Sequence, residues 1–288
     1  MVAAFLSVLF DGVAYGSLLF VISVGMSVTM GLMSFINLAH GAFAMFGGYV
    51  AIALMKRAGV PFAATLPAVM IAMALAGAVA ERSLYRWVSR TRPLDQVLFT
   101  IGLAFIATAS ATYVWGPSQQ NIALPAVLTG QVHVGGLDLG AYRLFLIAVV
   151  VVITAVLHAL VARTRFGAQL RAAVDNPHAA AGLGIPVDRV FTISFALGSG
   201  LAGLGGALGI DVLGLDPTFP FKFMVYFLVV VVVGGEGSIL GSAAAAVALG
   251  VFDVVGKYYI PSVGGFLIYG LMVVLLLVFP HGLFRIRK

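Results

Sequence analysis

Residues that could carry hydrolytic, redox or metal chemistry are few in this chain, and they lie far apart. Its five histidines include no pair at the spacing of metal ligands, and the absence of cysteine removes thiolate sites and disulfides. No lysine is followed by serine or threonine, so the phosphate-binding loop of an ATPase is missing. We therefore expect no metal site, no cofactor and no nucleotide site, and any energy that the protein uses must come from another protein.

An enzyme that acts on membrane lipids would need ionisable side chains that converge at the membrane interface. The candidates lie in different segments of the sequence: Glu81, Asp95, His158 and His281. This scatter disfavours an integral-membrane enzyme.

A polar break between two apolar segments, from Ser34 to Gly41, is the first feature that indicates transport. Polar side chains at membrane depth are tolerated where they face a cavity or another helix, and interrupted helices mark substrate sites in transporters. On this interpretation Ser34, Asn37, His40 and Gly41 line a substrate path. The alternative is a short turn, in which Asn37 caps the next helix and His40 bonds a carbonyl group.

A second polar break leads into a helix rich in small residues, and its residues are assigned to the same path: Gly234, Gly235, Glu236, Gly237 and Ser238. Glycine and other small residues at helical spacing allow helices to cross closely. The alternative for Glu236 is a plain turn before a packing helix. Because the first break also leads into glycines, the pattern suggests an internal repeat with substrate passing at its interface.

Three aspartates near the ends of apolar segments could bind a cationic group: Asp211, Asp216 and Asp253. A carboxylate buried in a membrane is costly in free energy. We therefore expect all three to be solvated at the interface.

Membrane-spanning helices must hold these residues in place. The chain is 62% hydrophobic and 9% charged, against about 25% charged residues in soluble domains, which excludes a soluble fold. Its apolar runs are long and unbroken, unlike the alternating segments of a membrane β-barrel. The sequence predicts an all-α polytopic membrane protein with eight or nine spans: 12–32, 41–55, 62–86, 96–115, 143–162, 189–210, 222–235, 238–256 and 262–280.

The predicted span 222–235 is too short for a full crossing, which needs about 20 helical residues. We expect a half-helix or re-entrant segment there. The span count depends on this segment.

The arginines predict the orientation, because they cluster in the segments 82–92, 163–189 and 285–288. Under the predicted spans all three clusters fall on one side, which the positive-inside rule makes cytoplasmic. Arg90 and Arg165 are then cytoplasmic, while Gly130 and Tyr258 are outside, and so is a sparser basic set: Lys56, Arg57, Arg143, Lys222 and Lys257. The N-terminus is outside and the C-terminus inside. This topology accounts for the net charge of +6, so the basic residues do not indicate a nucleic-acid-binding protein.

Two connections are long enough to carry structure of their own. The outer segment 116–142 mixes proline and glycine with apolar residues, which predicts an ordered hairpin or short helix that could face a partner. The inner segment 163–188 contains a short helix over 178–183. Asp175 or Asn176 is its expected cap, Pro177 fits its first position, and Gly182 or Gly184 ends it in a left-handed conformation.

Motifs along nearly the whole chain resemble the H-type permeases of the branched-chain amino acid ABC importers. The matching motifs are Gly12-x-x-Tyr15-Gly16-Ser17, Ile36-Asn37-Leu38-Ala39-His40-Gly41, Arg171-Ala172 through Gly182-x-Gly184-Ile185-x-x-Asp188-Arg189, Gly234-Gly235-x-Gly237-Ser238 and Pro280-His281-Gly282-Leu283-Phe284. His281 departs from the glutamine that is frequent in the family. The resemblance implies one permease domain, 1–288, in a bacterial inner membrane.

The resemblance also implies partners. These are two ABC ATPase subunits on the cytoplasmic face, a periplasmic binding protein, and a second permease that is either M-type or another copy of the chain. It implies a cytoplasmic coupling loop at about 163–188, whose helix docks on an ATPase through Asn176, Pro177, Ala180, Gly182 and Gly184. An exposed apolar face on that helix favours docking.

The implied function is import of leucine, isoleucine, valine or a related hydrophobic amino acid, driven by ATP hydrolysed elsewhere. Similar permeases handle urea, short amides and other small organic solutes, so these cargoes stay open as alternatives. A passive channel is a further alternative, because glycine-rich broken helices also suit pores.

Overall fold

The computed structural model describes residues 2–33, 37–88, 91–135 and 137–278. The first part of the chain forms the helices α1 (Val2–Met33), α2 (His40–Ala58), α3 (Phe62–Ala80), α4 (Arg86–Val88) and α5 (Pro93–Trp115). A π-helical turn, Glu81–Tyr85, joins α3 to α4 without a break. Ser34, Arg90, Gly136 and the terminal segment 279–288, with its Pro280–Phe284 motif and basic cluster, lie outside the described residues.

The rest of the described chain is also helical, apart from one hairpin. A 3₁₀ turn (Ala126–Leu128) precedes the strands β1 (Gln131–Val134) and β2 (Leu137–Gly140), which pair in antiparallel register. The remaining helices are α6 (Ala141–Arg163), α7 (Arg165–Asp175), α8 (Pro177–Gly182), α9 (Val187–Leu213), α10 (Phe219–Gly234), α11 (Ile239–Tyr259) and α12 (Pro261–Val278).

Each predicted span coincides with a helix, so the all-α polytopic membrane fold is confirmed. Within the described ranges, six helices are long and apolar enough to cross a membrane: α1, α3 with its extension, α5, α6, α9 and α11. The helices α10 and α12 are shorter apolar helices. The helix α2 carries polar residues at both ends, His40 and the pair Lys56 and Arg57.

Helix α9 is the centre of the bundle and packs against α1, α2 and α3. Its glycines allow this, because a β-carbon on Gly206 would overlap the backbone of Ala44 in α2. In the same way, a β-carbon on Gly25 of α1 would lie 2.6 Å from the carbonyl carbon of Gly198. Close packing of backbones is thus the role of the glycine-rich segment in α9.

Two of the predicted arginine clusters lie at one end of the bundle. The ion pair between Arg86 and Asp188, 3.5 Å apart, joins the end of the α3 extension to the start of α9. At the opposite end, Arg143 of α6 pairs with Asp11 of α1. The structure therefore places the basic residues of 82–92 and 163–189 on the same side, as predicted.

The predicted hairpin in 116–142 is confirmed by β1 and β2, and the prediction for 163–188 was incomplete. That segment holds two helices, because α7 precedes α8. The apolar positions Phe166, Leu170 and Ala173 of α7 repeat with the helical period and pack against Val190 at the start of α9. This period was a signal that sequence reasoning missed.

Candidate functional site

From Asn37 onward, where the structure describes it, the first polar break is a buried turn at the start of α2. The Asn37 side chain accepts a hydrogen bond from the Ala39 amide at 3.1 Å, and His40 Nε2 lies 2.9 Å from the Ile22 carbonyl oxygen of α1. Both Asn37 and His40 are buried. The turn predicted as the alternative is therefore present, and it lies inside the bundle against α1.

The first turn of α10 lies against the same place. A β-carbon on Gly41 would lie 3.0 Å from the Pro220 Cα, and the Phe221 ring packs 4.7 Å from the ring of Phe105. Phe105 is at the middle of α5. The helices α2 and α10 therefore both begin beside the middle of their neighbours, which supports the prediction of a half-helix at 222–235.

Lys222 follows Phe221 in this first turn, and its side chain is exposed. Its neighbour Phe221 contacts the middle of α5 and not its end, and the placement of Lys222 in the outer basic set stays a prediction. An ionisable side chain at membrane depth usually faces a polar cavity or a partner.

The second polar break forms a tight connection between α10 and α11. Gly235 and Gly237 have positive φ angles, 89° and 79°, which favour glycine. The Gly237 amide donates to the Ser27 carbonyl of α1 at 3.0 Å. Ser238 caps α11 by accepting from the Gly241 amide at 3.1 Å. Glu236 is exposed, in agreement with a plain turn.

The two breaks pack against neighbouring turns of α1 and are joined by α10. A narrow crevice beside the first break is lined by Met26 of α1, Met224, Phe227 and Leu228 of α10, and residues of the break itself, Asn37, Leu38, His40 and Gly41. The second break contacts α1 at Ser27 and Gly31. The structure thus brings the two predicted parts of the path to one region of α1.

The prediction of solvated aspartates is wrong for Asp253. That residue is 1% exposed in α11, where Lys257 Nζ lies 2.6 Å from one carboxyl oxygen. The Tyr226 hydroxyl donates to the other at 3.4 Å. Asp211 is exposed as expected, and the half-buried Asp216 accepts the Thr218 amide at 2.8 Å before α10. A cationic partner one helical turn away explains the burial of Asp253.

The ionisable residues considered for an enzyme have separate surroundings. Glu81 is buried and accepts a hydrogen bond from Thr192, Asp95 pairs with Arg92 at the surface, and His158 is exposed on α6. His281 lies outside the described residues. Across the described ranges, no three His, Asp or Glu side chains are grouped so as to hold a metal ion.

The short helix in 163–188 has the predicted cap. The Asn176 side chain accepts from the Ala179 amide at 2.9 Å, Pro177 occupies the first position, and Gly184 after the helix has φ +82°. Gly182 is helical and open to space, since a β-carbon there would meet nothing within 4 Å. The capping and end signals of the sequence are thus confirmed.

The expected exposure of Ala180 is wrong. Ala180 is 2% exposed, so it lies on the inward face of α8, and its carbonyl accepts the Ile185 amide at 3.1 Å. The outward face carries Ala179, Ala181, Gly182 and Leu183 instead. Leu183 is 82% exposed at the tip of this segment. A partner that docked on this face would bury Leu183.

Comparison with protein families identifies the bundle. Residues 8–276 match the family described as "Branched-chain amino acid transport system / permease component", which covers most of the chain. The chain belongs to this family. Its membership in the branched-chain amino acid permeases confirms the resemblance seen in the sequence motifs. No solved structure matches the chain.

Curated relatives in this permease family align over almost their full lengths. One is the high-affinity branched-chain amino acid transport system permease protein LivH of Salmonella typhimurium, 28% identical over 97% of this chain and 95% of the relative. Another is BraD of Pseudomonas aeruginosa, 27% identical over 97% and 95%. A probable LivH of Methanocaldococcus jannaschii is 25% identical over 96% and 91%. This permease thus corresponds to whole relatives and not to one part of them.

Proposed function

We propose that this chain is the membrane-spanning subunit of an ABC importer and passes branched-chain or related hydrophobic amino acids across a bacterial inner membrane. The observation that carries the proposal is the family match over residues 8–276. The names of the full-length relatives support the same cargo class over urea, short amides or a passive channel.

The proposed path runs beside the first turns of α2 and α10. Helix N-termini carry partial positive charge and free N–H groups, and interrupted helices use them to hold anionic groups of a substrate. The first turns of α2 and α10 meet at Gly41 and Pro220. These two helix starts and the exposed Lys222 would bind the carboxylate of an amino acid in the path. The exposed ring of Phe105 would contact its apolar side chain.

The assigned path residues divide into two groups. Asn37, His40 and Gly41 form the buried turn at the start of α2, which Ser34 precedes. Gly234, Gly235, Glu236, Gly237 and Ser238 form the connection to α11, where the glycine backbone at Gly235 and Gly237 has positive φ angles and can change conformation at low cost. The first group belongs to the path, and the second acts as a hinge beside it.

The proposed partners follow from membership in the family of importer permeases. Two ATPase subunits supply energy at the arginine-rich end, where α7 and α8 lie, and that end is cytoplasmic by the positive-inside rule. A second permease, M-type or another copy, completes the path, and a periplasmic binding protein delivers cargo at the hairpin end. The residues 1–288 then form one permease domain with a coupling loop over 163–188 and a cytoplasmic C-terminus.

The isolated chain is expected to hydrolyse no ATP, since no phosphate-binding loop occurs in its sequence. Hydrolysis and uptake of labelled leucine should appear together when the purified chain is reconstituted with its ATPase subunits and binding protein. ATPase subunits disabled in catalysis provide the control. Hydrolysis by the pure chain would refute the assignment, and uptake of urea but not leucine would change the cargo.

Single cysteines test the orientation, because the native chain has none. We expect an impermeant thiol reagent to label Gly130→Cys and Tyr258→Cys in intact cells, and Arg165→Cys only after the membrane is broken. Gly130 accepts the change because a β-carbon there meets nothing within 4 Å. The inverse labelling pattern would place the arginine-rich end outside and overturn the coupling assignment.

A further inference from the structure

Glu81 is a buried carboxyl group at the junction of α3 and α9. It is 2% exposed, and the Thr192 hydroxyl donates to Glu81 Oε2 at 2.7 Å. Arg86 Nε lies 3.6 Å from Glu81 Oε1, and Arg86 Nη1 lies 3.5 Å from Asp188. These four residues, which we call the Glu81 cluster, fasten the end of α3 to the start of α9.

The π-helical turn at 81–85 sets the direction of the side chains. The Arg86 amide donates to the Glu81 carbonyl, five residues back. Glu81 and Tyr85, one turn apart, fall on the same face and are both buried, while residues 82–84 are exposed. Such turns inside α-helices occur frequently at functional positions.

On one side, the Glu81 cluster is continuous with α8. Asp188 lies in the first turn of α9. Residues 183–186 connect that turn to the end of α8. The Ile185 amide in that segment donates to the Ala180 carbonyl at 3.1 Å. A displacement of α8 therefore moves the start of α9 and pulls on Arg86 and Glu81.

On the other side, the cluster is continuous with the buried turn of α2. The Tyr85 ring packs 4.8 Å from the ring of Phe195, and Phe195 packs 5.9 Å from Phe43 in the first turn of α2. The Tyr85 side chain also lies beside that of Asn37. The buried face that carries Glu81 and Tyr85 is thus in contact with Asn37, which is assigned to the path, and is linked through Phe195 to the first turn of α2.

We propose that Glu81 is a positioning residue through which movement of α8 reaches the Asn37–Gly41 turn. This proposal rests on the proposed function, since it needs an ATPase that moves α8. Closely packed side chains with two discrete arrangements can carry such coupling. The Glu81 cluster makes α9 and the end of α3 move together, and Tyr85 passes the movement to α2.

The test is the number of leucine molecules taken up per ATP hydrolysed by the complete importer in liposomes. Glu81→Gln keeps the shape but removes the charge that faces Arg86, and Thr192→Val removes the hydroxyl donor. Both are expected to lower uptake per ATP by at least about fivefold, the lower range of coupling between sites. Thr192→Ser, which keeps the donor, should restore wild-type coupling.

Asp95→Asn is the matched control, because Asp95 pairs with Arg92 at the surface near the same end of the bundle. Its uptake per ATP should equal that of the wild type. A purely structural role for Glu81 would lower ATP hydrolysis, uptake and membrane abundance together and leave their ratio unchanged, and that result overturns the proposal. Where Glu81→Gln does not accumulate, the comparison of Thr192→Val with Thr192→Ser decides. No leucine uptake by the wild-type complex would instead count against the proposed function.

Discussion

Leu183→Asp is expected to abolish ATP-driven uptake while the permease still accumulates in the membrane. Leu183 is 82% exposed beside Gly182 at the tip of α8. Burial of a leucine in a partner's groove contributes about 1.5–3 kcal/mol, and an unpaired carboxylate in the same groove costs several kcal/mol more. Docking of the ATPase should weaken by at least about a hundredfold, because every 1.4 kcal/mol is a factor of ten.

The measurement is co-purification of the ATPase subunits together with leucine uptake by cells. Gly182→Trp should give the same loss, since a β-carbon at Gly182 meets nothing within 4 Å in the chain and the bulky indole would clash with a partner docked on this face. Val127→Asp is the control for co-purification, because Val127 is 85% exposed in the turn before the hairpin, at the end of the bundle opposite the proposed ATPase site. Normal uptake by Leu183→Asp and Gly182→Trp would show that α8 is solvated, and coupling would then run through 82–95.

Gly206→Leu is expected to remove the folded protein from the membrane. A β-carbon at Gly206 would overlap the backbone of Ala44, so α2 and α9 would have to move apart over their whole crossing. Insertion of extra carbons into a packed core costs about 1–3 kcal/mol even where only side chains must move. A shift of backbone leaves fewer ways to relax, and we expect a cost at or above that range.

Membrane abundance and the melting temperature of the purified protein measure this effect. Gly102→Leu is the matched control, because Gly102 also lies within a membrane helix, α5, but a β-carbon there meets nothing within 4 Å. The control should accumulate normally. Equal abundance and equal melting temperatures for the two variants would contradict the close α2–α9 crossing.

Features that depend on neighbouring residues could be predicted from the sequence. The spans followed from long apolar runs, because the transfer of each segment into lipid depends on its own composition. The cap at Asn176 followed from a side chain that bonds an amide three residues on. The two polar breaks were located for the same reason, since they interrupt the apolar runs directly.

The features that decide function join residues far apart in the chain, and only the tertiary structure places them. Glu81 and Thr192 are separated by 111 positions, and Ser27 and Ser242, whose hydroxyls bond at 2.9 Å, by 215. Composition cannot show which face of α8 points inward, so the burial of Ala180 and the exposure of Leu183 could not be predicted. The burial of Asp253 and the mid-bundle start of α10 could not be predicted for the same reason. Each depends on which helix packs beside it, and close backbone contacts between glycines of distant segments, such as Gly25 and Gly198, set that packing.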